Sequence, residues 1–160
     1  MSRRAAWRLE TLGFGEVCDY TLGKLDWMAA GLPTEGTNAS RRRAGDVARK
    51  EVPTCGLEDR LDEVRDRVRG LGWDAVVVVN EERVVLGLLR SKELEGAGDQ
   101  PIAKAMRPGP STFRPFVSAT EMAEFMSEHR LESSPITTSD GRLVGLLMFK
   151  DVAEAARADP

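Results

Sequence analysis

Histidine is almost missing: His129 is the only one in 160 residues. Cysteine occurs twice, as Cys18 and Cys55, and the pair lacks metal-ligand spacing. Together these shortages disfavour a zinc site and a histidine-based catalytic triad. A strong positive field is also lacking. The formal net charge is −3, so nucleic-acid binding is not expected. No apolar run approaches membrane-spanning length, which argues against membrane insertion. The start, MSRRAAWRLE, lacks the apolar centre of a secretory signal, so a cytoplasmic location is expected. What is present, 41% hydrophobic and 31% charged residues, suits a soluble globular chain of one domain or two small ones.

The chain repeats itself. GLLRSKEL (Gly87–Leu94) returns as GLLMFKDV (Gly145–Val152), a shift of 58 positions. The same shift lays Arg49 on Arg107, Thr54 on Thr112, Glu63 on Glu121 and Lys92 on Lys150. Apolar positions agree too: Val64 with Met122, Val68 with Met126, Val78 with Ile136 and Val85 with Leu143. The register needs no gap from Arg49 to Glu93, which falls on Asp151.

Each copy has a physical reading. Leu57, Leu61, Val64, Val68 and Leu71 recur at steps of four and three, one apolar stripe of a helix. Ala75–Val79 and Val84–Leu89 follow as β-branched runs, unbroken enough to be strands covered on both faces. In the second copy, Ser118 and Glu121 form a capping box flanked by Val117 and Met122 as a staple, so a helix starts near Ala119. His129 falls near that helix's end. SSPIT enters a strand whose Pro135 suits a strand start or an edge. Asp140–Gly141 turns a hairpin into the next strand, and FKDVAEAARA closes with a helix. The order is strand, helix, strand, strand, helix in each copy. One such unit buries too little surface to stand comfortably alone, so two are expected to cover each other's sheets.

This pattern, with Gly-aliphatic-aliphatic-x-x-Lys-acid-aliphatic crossing from a strand into the last helix, resembles a tandem pair of cystathionine β-synthase (CBS) domains, a Bateman module. The resemblance covers about Arg43 to Ala156. It implies an α/β (α+β) fold of two pseudo-symmetric β-α-β-β-α units packed sheet to sheet, with repeat 1 over residues 49–98 and repeat 2 over 99–158. It also implies a non-catalytic, ligand-sensing module, forming a homodimer and reporting to a partner enzyme or transporter. The regulatory ligand would be adenosyl: AMP, ADP, ATP or S-adenosylmethionine, with no required cofactor. The alternative is a structural or protein-interaction module with degenerate nucleotide sites.

The resemblance assigns the acid ending each motif, Asp151 and Glu93, to ribose hydroxyls. A carboxylate accepts two such donors. Either acid could instead simply stabilise a helix start, worth up to about 1 kcal/mol. Three residues after the glycine the family usually has Ser or Thr; this chain has Arg90 and Met148. Met148 cannot donate a hydrogen bond. Arg90 could pair with phosphate or be a solvated charge at a strand end. Lys92 and Lys150 stand near helix starts, where they could approach phosphate or lie on the surface. Thr54 and Thr112 open the repeats, as ligand contacts or as ordinary β-branched residues. Gly87 and Gly145 interrupt apolar strands, which marks the close approach of the other repeat or of a ligand.

Residues 1–36 differ in character. A short helical pattern (Ala5, Ala6, Leu9, Leu12) precedes a strand candidate, GEVCDY, and a helix LGKLDWMAAG stopped by Gly31 and Pro33. Gly13, Phe14, Val17, Gly23, Trp27, Gly31, Leu32 and Pro33 resemble the carboxyl-terminal end of a rhodanese-like domain. The Cys55–Arg60 spacing matches that family's nucleophile loop, but it follows the tail and lies beside Glu58 and Asp59, which oppose a thiolate. Residues 37–48 read as a linker, with Arg41–Arg43 as a solvated run or a phosphate or partner contact.

Overall fold

The computed structural model describes residues 3–30, 32–36, 39–98 and 100–158. Repeat 1 contains β1 (Thr54–Cys55), α4 (Leu61–Gly70), β2 (Ala75–Val79), β3 (Val85–Arg90) and the short α5 (Ser91–Leu94). Repeat 2 contains α7 (Ala119–Glu128), β5 (Ser133–Thr137), β6 (Leu143–Met148) and α8 (Phe149–Arg157). Before repeat 1 come α1 (Arg3–Thr11), α2 (Gly23–Ala29) and α3 (Ala44–Val47); repeat 2 opens with α6 (Ile102–Ala105) and β4 (Arg107–Pro108). The mixed α/β class and the paired β-α-β-β-α plan match the reading of the sequence.

The apolar stripe does form α4, burying Leu61, Val64 and Val68. Leu71 falls just past the helix and is exposed. Ser118 caps α7, its Oγ accepting from the Glu121 N–H at 3.1 Å, and Val117 packs against the core cluster that includes Met122. His129 caps the far end and stacks on Phe125, ring centroids 4.0 Å apart.

β2 and β3 pair antiparallel, as do β5 and β6. The opening strand differs between the copies. In repeat 1, β1 runs parallel to β2, and the Val77 N–H donates to the Pro53 carbonyl. The register places Pro135 at the Val77 position, and proline has no N–H to give. Repeat 2 accordingly keeps only a single parallel bridge, Phe113 to Ile136, beside Pro135.

The three-dimensional units are knitted by exchange. β4, at the opening of repeat 2, adds to β3 of repeat 1 through Leu88 and Arg107. Arg49, the first residue of repeat 1, bridges Leu146 on β6 of repeat 2, with backbone bonds of 3.0 and 2.9 Å. The cores follow suit. Ile102 is buried with Leu61, Val76 and Leu89, whereas Ala44 and Ala48 are buried with Met122, Ile136 and Val152.

A third cluster, with Ala75, Val77, Leu88, Leu143 and Leu146, forms the seam between the sheets. The hairpins meet at Val84 and Arg142, register equivalents of each other. Val85 N–H to Gly141 O at 3.0 Å and Leu143 N–H to Arg83 O at 2.9 Å are a symmetric pair of bonds across this point.

The extension departs from expectation. Residues 15–20 form no strand, since no neighbouring edge pairs with them and Glu16 takes a positive φ of 44°. Trp27 Nε1 donates to the Pro33 carbonyl at 2.7 Å, and Tyr20 stands edge-on to Trp27. The Gly31 stop lies outside the described residues; α2 ends at Ala29.

Candidate functional site

The two acids of the repeated motif stand at equivalent places, each at the start of a helix leaving the central strand of its copy. Both already have partners. Asp151 accepts from the Arg49 fork, Nε to Oδ2 at 2.7 Å and Nη2 to Oδ1 at 3.2 Å. Glu93 accepts from Arg107 Nε at 2.6 Å and from its own motif's Arg90 N–H at 3.0 Å. Arg49 and Arg107 are register equivalents, so the same arginine–acid clasp is built twice. The exchanged segments place it, because each arginine is carried to the opposite repeat by the backbone bridge described above.

The surroundings of the clasps differ. Arg49 lies beneath Trp73, its Cζ 5.5 Å from the ring centroid, within cation–π range. Met148 and Trp73 both pack on the seam cluster. Residues of both repeats therefore converge at Asp151. The bond to Asp151 is the main cause holding the Arg49 pKa above its ordinary value. The side chains remain partly open, 40% exposed for Arg49 and 26% for Asp151.

On the other side the Glu93 side chain is only 10% exposed. Arg90 crosses the seam to repeat 2, donating from Nη2 to the Ser133 carbonyl at 3.0 Å and from Nε to Ser133 Oγ at 3.4 Å. It is thus not the solvated strand-end charge its sequence position allows. Burial first, and the neighbouring Arg107 second, lower its pKa. Burial pulls the Glu93 carboxyl upward, but the Arg90 N–H and the Arg107 guanidinium outweigh it and leave it below the usual range.

The other residues singled out by sequence fall elsewhere. Lys92 and Lys150 are exposed beside their clasps. Thr54 belongs to β1 and lines an open hollow with Glu58, Asp59 and Glu81. Thr112 is exposed just before the Phe113 bridge. Among the described residues no hydrogen bond joins either threonine to Asp151 or Glu93. Gly87 and Gly145 clear the exchanged segments: a Cβ would stand 2.3 Å from Met106 Sδ at Gly87 and 2.6 Å from the Arg49 carbonyl oxygen at Gly145. Cys55 is buried, and that burial pushes its thiol up to about 12, far from a nucleophile's range.

Sequence reasoning passed over Arg49, Arg107, Trp73 and Ser133 as site residues. A signal existed for the arginines, which coincide in the repeat register. Trp73 carried none, since its register equivalent is Leu131.

Comparison with known proteins bears on the fold. The CBS domain family model matches residues 44–97 and 102–158, more than half of the chain. Among curated proteins, inosine-5'-monophosphate dehydrogenase of Korarchaeum cryptofilum is 26% identical over 113 residues, covering 69% of this chain and 24% of the enzyme. The uncharacterized protein MK0525 of Methanopyrus kandleri is 25% identical over 118 residues, covering 69% of this chain and 60% of that protein. Among solved structures, CBSX2 in complex with AMP is similar at a TM-score of 0.66 and 17% identity, covering 73% of this chain and 97% of CBSX2. The CBS domain pair of MJ0100 in complex with 5-methylthioadenosine and S-adenosyl-L-methionine follows at 0.65 and 15%, covering 74% and 98%. These likenesses establish the fold. Among the described residues no helix is long and apolar enough to cross a membrane.

Proposed function

Because the chain belongs to the CBS domain family, as a tandem pair, we propose that it is a non-catalytic regulatory module that binds an adenosyl ligand at the Asp151 side of the seam. The observation carrying this reading is the half-open clasp of Arg49 on Asp151 beneath Trp73. Release of Arg49 would free both Asp151 oxygens for ribose hydroxyls, turn the guanidinium toward phosphate, and leave the Trp73 ring as a face for adenine. The guanidinium favours phosphate-bearing ligands such as AMP, ADP or ATP over the cationic sulfonium of S-adenosylmethionine. The bound states of CBSX2 with AMP and of the cytosolic domain of MgtE with ATP support the same ligand class. The Glu93 side, shut by Arg90, takes no ligand in this reading. Joining the repeats through ligand is the signal, passed on by a homodimer to a partner enzyme or transporter.

Thermal melting with AMP, ATP and S-adenosylmethionine tests this. A ligand at a hundred times its dissociation constant adds about 2.7 kcal/mol of stability. The shift should vanish in Asp151→Ala and persist in Glu93→Ala. Sedimentation with and without ligand checks the dimer. If none of the three ligands moves the melting temperature, the proposal fails.

One observation favours the second reading, an interaction module with degenerate nucleotide sites: both oxygens of both acids already bond to groups of this chain. Melting unmoved by any adenosyl ligand, with a dimer in sedimentation, would favour it.

A further inference from the structure

Positive charge gathers away from the seam, where the extension meets repeat 2. A cleft of about 340 Å³ opens between Thr34 of the extension, Arg41 and Arg43 of the connecting segment, and Lys50. A second hollow of about 370 Å³ shares Thr34, Arg41 and Arg43 and adds Lys24. Two carboxylates border this region, Asp46 and Glu35. Asp46 is engaged, accepting from the Arg43 backbone N–H at 3.0 Å. Among the described residues, the Arg43 fork donates only to Thr34 Oγ1, at 3.3 Å. Among the described residues, Lys24, Arg41 and Lys50 make no ion pair. In a chain of net charge −3 this is a local inversion of sign.

The internal repeat supplies a control for what the fold itself requires. Leu57 and Leu86 line the open hollow of repeat 1, whose charged residues are Glu58, Asp59 and Glu81. Their register equivalents, Pro115 and Val144, line the cleft of repeat 2. One position of the fold is thus bare and acidic in the first copy, yet roofed by the extension and basic in the second. The cations are therefore no requirement of the repeat; Lys24, Arg41 and Arg43 come with the extension and its connection, and Lys50 with the start of repeat 1.

We propose that this cleft binds a small molecule through a diphosphate or triphosphate group, gripped by Arg41, Arg43 and Lys50 with Lys24 at the rim. Guanidinium forks match phosphate oxygens two at a time, and the ammonium groups add point charge. The volume is in the range of small-molecule sites. Such a ligand would tie the extension to repeat 2, because Arg43 also bridges Ser118 at the start of α7. The site shares no residue with the Asp151 clasp, so it stands or falls independently of the nucleotide reading above.

Calorimetric titration of the whole chain with pyrophosphate and tripolyphosphate is the test, using wild type, Asp151→Asn and the double variant R41Q/K50Q. Both double-variant positions are exposed or nearly so, and unchanged melting without ligand confirms that the variant folds. Wild type and Asp151→Asn should bind alike. R41Q/K50Q should lose at least about tenfold in affinity, and added salt should weaken binding to wild type. In the Asp151→Asn background, ATP binding tighter than tripolyphosphate supports the cleft with a nucleotide as the source of the phosphates; equal affinity supports it with the phosphate chain alone. No binding of either polyphosphate to wild type, undiminished binding to R41Q/K50Q, or loss in Asp151→Asn overturns the proposal.

Discussion

Gly87 and Gly145 occupy the same place in the two copies, yet what faces them differs. At Gly145 the nearest obstacle is the Arg49 carbonyl, a backbone atom 2.6 Å from an added Cβ; at Gly87 the equivalent Arg107 carbonyl stands farther off, at 3.2 Å, and the nearest obstacle is the flexible thioether of Met106. Gly145→Ala should therefore cost about 1–3 kcal/mol in urea unfolding, and Gly87→Ala distinctly less. Equal losses would mean that the exchanged backbone is not what Gly145 accommodates. Glu93 gives a second prediction, in pH. Its folded carboxyl titrates below the ordinary 4.5, so its stabilising contribution is complete above about that pH. As pH falls below it, the unfolded chain takes up the proton first, and stability declines until the folded carboxyl protonates too. Glu93→Gln should flatten the acid limb of a stability–pH curve, and an unchanged slope would count against the clasp. The acids themselves were legible in the sequence because the motif repeats them. Their arginine partners were not, because Arg49 and Glu93 lie in one copy but each bonds across the exchange.

Elements were legible where local chemistry decides them. The spacing of Leu61, Val64 and Val68 made α4, and the Ser118 cap set the start of α7. Ser118→Ala should cost about 1 kcal/mol, measured by chemical denaturation, since the Glu121 N–H loses its acceptor. A cost near zero would show that the core packing of Val117 and Met122 alone holds the helix start. Elements were illegible where a distant partner decides. GEVCDY has the composition of a strand, but a strand exists only beside an edge, and none reaches it. The opening strand of repeat 2 dwindles to a bridge because of one residue in another strand, Pro135, whose consequence appears only once the copies are superposed by register. β4 was hidden for the same reason: Arg107 and Pro108 look like loop until β3 lies next to them.

For the whole molecule, the repeat gave away the pseudo-symmetry but not the exchange. A sequence period marks where a pattern restarts; it does not tell which copy a flanking residue joins. Here Ile102 stands beyond the first copy's motif yet is fully buried in that copy's core, and Ala44 stands before it yet is fully buried in the other. Each unit thus borrows apolar surface and a short piece of its sheet from the chain at the start of its twin, which couples their stabilities. Two consequences are measurable. Ile102→Ala should destabilise by about 2–5 kcal/mol, the range for emptying a filled core position. The loss should reach repeat 2 as well: in hydrogen exchange under native conditions, the Leu146 and Ile136 amides of repeat 2 should speed up together with those of β2 and β3. Separate units would confine the change to repeat 1. Coupling of this kind would serve the proposed sensing role, because a ligand bound as proposed, at Asp151 in one repeat and Trp73 in the other, would act on a structure that opens as one.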